Sequence, residues 1–295
     1  MSAQHQGNIA GPTNKAAFAF VQSLALEMSA GKIEIPSFPD VAVRVRKVLA
    51  DENCSSAQIA RVVSAEPAMA AKLLQMANSA ALNPNGSKIT ELKSAIARIG
   101  LSNVRTASLV YAMEQIKKAP ELAPLRKPLH DLWERSVKVA AMSYVVARNW
   151  ARKVNVDQAM LAGLMHGMGR VYILTRAVKH PELFADGTSY HQIVRDWNAS
   201  VAKAVLESWE ISPDIIDAVE HYEQLDREND GEIDLTDVLT IANVLVSFHS
   251  DLAAMEMRLQ ETTAAVRLGV DAQAIQKVLQ ETAGELASLR TALGG

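Results

Sequence analysis

With 295 residues, a net charge of −3 and a sequence pI near 6.2, the chain can bury a substantial core as one large domain or two packed lobes. That charge argues against nucleic-acid binding, and a single cysteine, Cys54, excludes an intrachain disulfide or a multi-cysteine zinc site. Hydrophobic residues make up 49% of the chain but aromatics only 5%, a balance that favours helix over strand.

The first residues, Met1 to Asn14, are polar and have neither the basic end nor the apolar centre of a signal peptide. No apolar run approaches the ~20 residues of a membrane helix, so no membrane insertion and a cytoplasmic location are expected. A leading helix carries Phe18, Val21 and Leu24, and with the polar start it forms a unit over 1–32. Pro36-Ser37-Phe38-Pro39 is a rigid extended entry, because residues before proline are pushed out of the α region. Asp40 then caps a helix with Val41, Val45, Val48 and Leu49 on one face. Ser55 and Gln58 form a capping box for the helix carrying Ile59, Val62 and Val63. Pro67 opens the next helix, which ends at Asn78-Ser79 before the turn Asn83-Pro84-Asn85-Gly86. Asn78 is placed to cap locally and to reach across a lobe boundary. Leu92, Ile96 and Ile99 mark a short helix stopped by Gly100, and Ser102 starts another.

These short helices make an N-terminal lobe over 33–116, and the proline-rich stretch Lys117 to Pro128 connects it to a second lobe over 129–249. Helices there are expected over Leu129 to Trp150, from Asp157 to about Met168, through Leu174, from Tyr190, over Ala199 to Trp209, Pro213 to Tyr222 and Leu235 to Phe248. Asp226 to Asp234 reads as a loop, and amphipathic helices fill 250–295. Tyr111, Trp133, Trp150, Trp197 and Trp209 read as core anchors. Charge is unevenly placed: eleven Lys or Arg against four acids from Arg98 to Lys153, and fifteen acids against two Arg from Glu207 to Glu261. The exposed basic residues Lys117, Lys118, Arg126 and Lys127 are the candidate partner surface.

The phrase Leu161-Ala162-Gly163-Leu164-Met165-His166-Gly167-Met168-Gly169-Arg170 resembles the heart of the HD phosphohydrolase superfamily, AGLLHDIGR. Pro36 to Val41 resembles an LPxLPxV opening, and Glu66-Pro67, Lys72-Leu73-Leu74 and Ala77-Asn78-Ser79-Ala80 resemble DPxLxxKLLxxANSA. Ala95-Ile96 with Ile99-Gly100-Leu101 is similar to AIxxLG, and Trp209, Pro213 and His221 match a later WxxPxxIxxAIxxH stretch. Together, over about Ile33 to Phe248, these are identified as the pattern of an HDOD domain, which implies an all-α, two-lobed HD-like fold.

Active HD enzymes hold divalent metal on His, His-Asp and a distal Asp, because carboxylates neutralise a hard cation and leave a position open for water. By that likeness the ligand positions here carry Arg135, Gly167, Asn198 and Asn243, and only vestigial His166 and His221 remain. His166 also reads as a buried histidine bonded to helix-end carbonyls, and Gly163, Gly167 and Gly169 as sites of close helix packing. The resemblance therefore implies no enzyme, no metal and no cofactor, but a non-catalytic signal-transduction module that meets other signalling proteins. Asn78, Ser79, Gly100 and Trp209 are assigned structural roles. A residual metal-dependent phosphohydrolase or nucleotide binder, using Arg135 and His166 on phosphate, is the alternative.

Overall fold

The computed structural model describes residues 12–294 except 32, 34, 36, 37, 52, 84, 85, 186, 187 and 230. Pro36-Ser37 and Pro84-Asn85, read above as an extended entry and a turn, lie outside the described residues, as does most of the polar start. The described chain is all helix in two lobes, and contains no strand.

The first lobe holds α2 (Asp40–Leu49), α3 (Ser56–Val63), α4 (Pro67–Ala77) and α5 (Leu92–Lys118), preceded by α1 (Pro12–Ser29). Ser55 and Gln58 form the capping box of α3: the Ser55 backbone N–H donates to Gln58 Oε1 at 2.7 Å, and Gln58 N–H to Ser55 Oγ at 3.3 Å. Gly100 breaks α5 in two, with φ 75° and ψ 171°, a left-handed backbone that a side chain would strain. Asn78 does not reach the second lobe. Its Nδ2 donates to Leu74 O and Ile89 O, and its Oδ1 accepts from Ile89 N–H, all at 2.8 Å. It folds the following turn back on the end of α4. Close partners within eleven residues satisfied the amide before anything distant could.

The second lobe comprises α6 (Arg126–Trp150), α7 (Val156–Met165), α8 (Met168–Ala177), α9 (Ser189–Ser208), α10 (Pro213–His221) and α11 (Leu235–Ser247). The connection is shorter than its prolines suggest. Pro120–Leu125 forms a 3-10 turn and α6 starts at Arg126, so Pro128 sits in the first helical turn, where a missing N–H leaves no bond unmade. Four short helices follow: α12 (Leu252–Gln260), α13 (Thr263–Leu268), α14 (Ala272–Glu281) and α15 (Ala283–Ala292). No described helix is long and apolar enough to cross a membrane.

The lobes meet where the second half of α5 packs on α7, and where Phe38 lies against Trp209 with ring centroids 5.0 Å apart. Both ends of the chain cross over. Helix α1 packs on α9 and the 3-10 turn Pro181–Phe184, with Phe20 edge-on to His180 at 5.2 Å and Glu27 paired to Arg176 at 3.1 Å. Helix α15 pairs Glu285 with Arg148 of α6 and packs on α4. There Gly294 covers the half-buried ion pair Lys72–Glu114 (2.9 Å).

Candidate functional site

The HD-like phrase does not lie on one helix. Helix α7 ends at Met165 and α8 starts at Met168, with His166-Gly167 as the hinge between them. The two helices are pressed close to their neighbours. A Cβ on Gly163 would fall 2.6 Å from Ala140 Cα, and one on Gly169 2.2 Å from the Asn198 carbonyl oxygen. Gly167 has a lighter constraint, since its Cβ would meet only Ser136 Oγ, at 2.8 Å.

His166 is 2% exposed. Its Nδ1 lies 2.6 Å from Gly163 O, and since a carbonyl only accepts, Nδ1 carries the proton. Tyr222 stands edge-on to the imidazole at 5.5 Å. Burial drives the His166 pKa from 6.5 down to about 3, with Arg135 and Arg170 pushing the same way. The ring is neutral at physiological pH.

Arg135, in the middle of α6, reaches α11. Its Nη2 donates to Asn243 Oδ1 at 2.6 Å and Ser247 Oγ at 2.9 Å. Two of the four positions that the family resemblance singled out are therefore bonded to each other. Burial holds the guanidinium below its ordinary pKa, and Nε is buried without an acceptor among the described residues. Arg170 donates to Glu223 Oε1 at 2.6 Å, an oxygen that also accepts from Tyr222 OH at 3.0 Å. Asn198 packs against Gly169 with both amide atoms buried and unpartnered among the described residues. His221 bonds within its own helix, its Nδ1 2.9 Å from Asp217 O and 3.1 Å from Asp217 Oδ1. Among the described residues no three His, Cys, Asp or Glu side chains are placed to share a metal ion.

The sequence reading missed Arg170, Tyr222, Glu223 and Ser247. Ser247 lies four residues beyond Asn243 on α11 and so shares a helix face with it, whereas Arg170 is on α8, across the hinge from His166. For Ser247 that spacing was the available signal. Replacing Asn243 with aspartate should give the Arg135 cation a charged acceptor and raise stability by about 1 kcal/mol at pH 7. The bound carboxylate would have a lowered pKa, so the gain should fade as pH falls below about 4. Urea titrations of the two proteins at pH 7 and pH 3 check both signs.

Of the candidate partner surface, Lys118, Arg126 and Lys127 are exposed, and Lys127 pairs with Asp131 at 2.7 Å. Lys117 is not exposed: it is half-buried with its ammonium 6.0 Å from the Trp133 ring centroid, and burial lowers its pKa.

Beside Arg135 runs an apolar cleft of about 770 Å³, between the 3-10 turn and α6 on one side and α8 and α9 on the other.

Solved structures share this all-helical architecture. A crystal structure of a candidate metal-dependent phosphohydrolase from Shewanella amazonensis SB2B has this fold, with a TM-score of 0.72, 24% identity, and coverage of 95% of this chain and 99% of that one. An HDOD domain protein with unknown function from Geobacter sulfurreducens aligns at 0.58 and 18% identity, covering 92% and 96%. A candidate signal transduction protein from Marinobacter aquaeolei VT8 aligns at 0.60 and 16%, covering 97% of this chain and 67% of that one. An uncharacterized protein of Treponema pallidum (strain Nichols) is 19% identical over 73% of this chain, which spans 42% of that relative's length. The HDOD domain model matches residues 35–225, and the chain belongs to the HDOD family.

Proposed function

We propose that this HDOD protein is a non-catalytic regulatory module that acts through contacts with other signalling proteins. The Arg135–Asn243 hydrogen bond supports this most directly. By the likeness to HD enzymes these are metal-ligand positions, and they carry a cation and a neutral amide here, while Gly167 has no carboxylate to offer. The donor set does not fit a hydrolytic divalent cation. His166 is neutral and available as a ligand in principle, but one imidazole facing two guanidinium groups cannot balance a dication.

The test is direct. The purified chain, assayed on phosphomonoesters, cyclic dinucleotides and nucleotides with Mn²⁺, Mg²⁺ or Fe²⁺, should give no metal-dependent turnover. Turnover that needs metal and disappears in His166→Ala would overturn the proposal. On the interaction side, reversing Lys118, Arg126 and Lys127 to glutamate should weaken capture of protein partners. The melting temperature should stay nearly unchanged, since each exposed substitution is worth about 0.5 kcal/mol or less. Equal capture by the reversed protein would remove this surface from the proposal.

A further inference from the structure

The cleft beside Arg135 combines two features that nothing so far requires. One is its lining. Leu125 and Leu132 form one wall and Leu174, Val178 and Tyr190 the other, with Phe184 at the rim, 40% exposed. A volume of about 770 Å³ is within the range of clefts that hold small ligands. The other feature is Arg135 itself, which lines the same cleft. Its hydrogen-bond acceptors are both neutral, an amide and a hydroxyl. Among the described residues no carboxylate lies within ion-pair distance of it. The nearby Glu223 is engaged by Arg170 and Tyr222, and the cleft's Asp131 by Lys127. A partly buried cation without a carboxylate at ion-pair distance attracts an anion.

We propose that this cleft binds an amphiphile with one anionic head, a carboxylate or phosphate on an acyl-length chain, the head on Arg135 and the chain along the apolar walls. A nucleotide fits less well. Besides Arg135, the lining offers only Asp131, the exposed His191 and the Tyr190 hydroxyl as polar side-chain groups, too few to read a base edge. Tyr190 and Phe184 already pack on each other, with centroids 4.9 Å apart. An amphipathic helix of a partner protein would use the same apolar walls, but would not need a cation among them.

Calorimetric titration of the full chain with decanoate, decyl phosphate and decanol, each kept below its micelle concentration, tests the proposal. One equivalent of decanoate or decyl phosphate should bind, and decanol at least about tenfold more weakly, the difference a single charge-assisted contact makes. Arg135→Met should abolish that preference while leaving decanol unchanged. Phe184→Asp, a rim substitution that leaves the core intact, should weaken all three. The proposal is overturned by the absence of decanoate and decyl phosphate binding, by several equivalents bound without preference for charge, or by adhesion to anionic vesicles without binding of the monomers. Loss of this site would leave the protein-contact proposal standing, because the turnover and capture assays do not depend on it.

Discussion

Gly169→Ala should unfold the protein or lower its stability by at least about 3 kcal/mol, the largest effect expected of any single methyl group in the chain. The added Cβ would fall 2.2 Å from the Asn198 carbonyl oxygen and 3.0 Å from the Ala202 backbone nitrogen. These are backbone atoms of α9, so no side-chain rotation relieves the clash, and α8 and α9 must separate. Gly163→Ala should behave alike, since its Cβ would lie 2.6 Å from Ala140 Cα and 2.8 Å from Ala140 N on α6. Gly284→Ala is the control: the position is exposed, helical and open, so its effect should stay within about 1 kcal/mol and be stabilising. Urea midpoints with unchanged m-values would measure all three. A Gly169→Ala protein as stable as the control would mean that α8 and α9 are not packed as described.

Between pH 6.5 and 5 a strong dependence of stability on pH should come from His166. The imidazole titrates near 6.5 when unfolded and at about 3 when folded, because burial among Arg135, Arg170 and Tyr222 opposes its charge. Between those values the unfolded chain binds the extra proton, so stability is complete above pH 6.5 and falls as the pH drops towards 3. The slope is about 1.4 kcal/mol per pH unit, or roughly 3 kcal/mol by pH 4. His166→Gln keeps a donor for the Gly163 carbonyl but does not titrate. Its stability between pH 6.5 and 5, where most carboxylates are still ionised, should fall less steeply by that amount. Parallel slopes for the two proteins would show that the imidazole is not the group responsible.

Much of the first lobe was legible because its signals are local. Ser55 and Gln58 read as a capping box and form one, and Gly100 read as a helix end and breaks α5. Pro128 was placed outside a helix because proline usually marks a boundary, whereas the first turn of α6 accommodates it. The break after Met165 was not legible. An apolar helical rhythm continues to Met168, and only packing against α6 and α9 turns the chain at His166-Gly167. At the site, likeness to HD enzymes pointed to Arg135 and Asn243 separately. That they bond to each other across 108 residues is tertiary information, and so is the Tyr222 ring against His166.

The crossed ends of the chain govern the order of events in folding. Glu27 of α1 finds its partners 145 residues later at Tyr172, and Arg148 waits 137 residues for Glu285. Lys72 and Glu114 of the first lobe stay uncovered until Gly294 arrives. On a ribosome, each lobe therefore emerges with side chains whose partners or cover come only from a much later segment. Contacts of such span slow the final docking and leave a partly assembled intermediate exposed to aggregation or chaperone capture. Once docked, the same contacts should couple the unfolding of the two lobes.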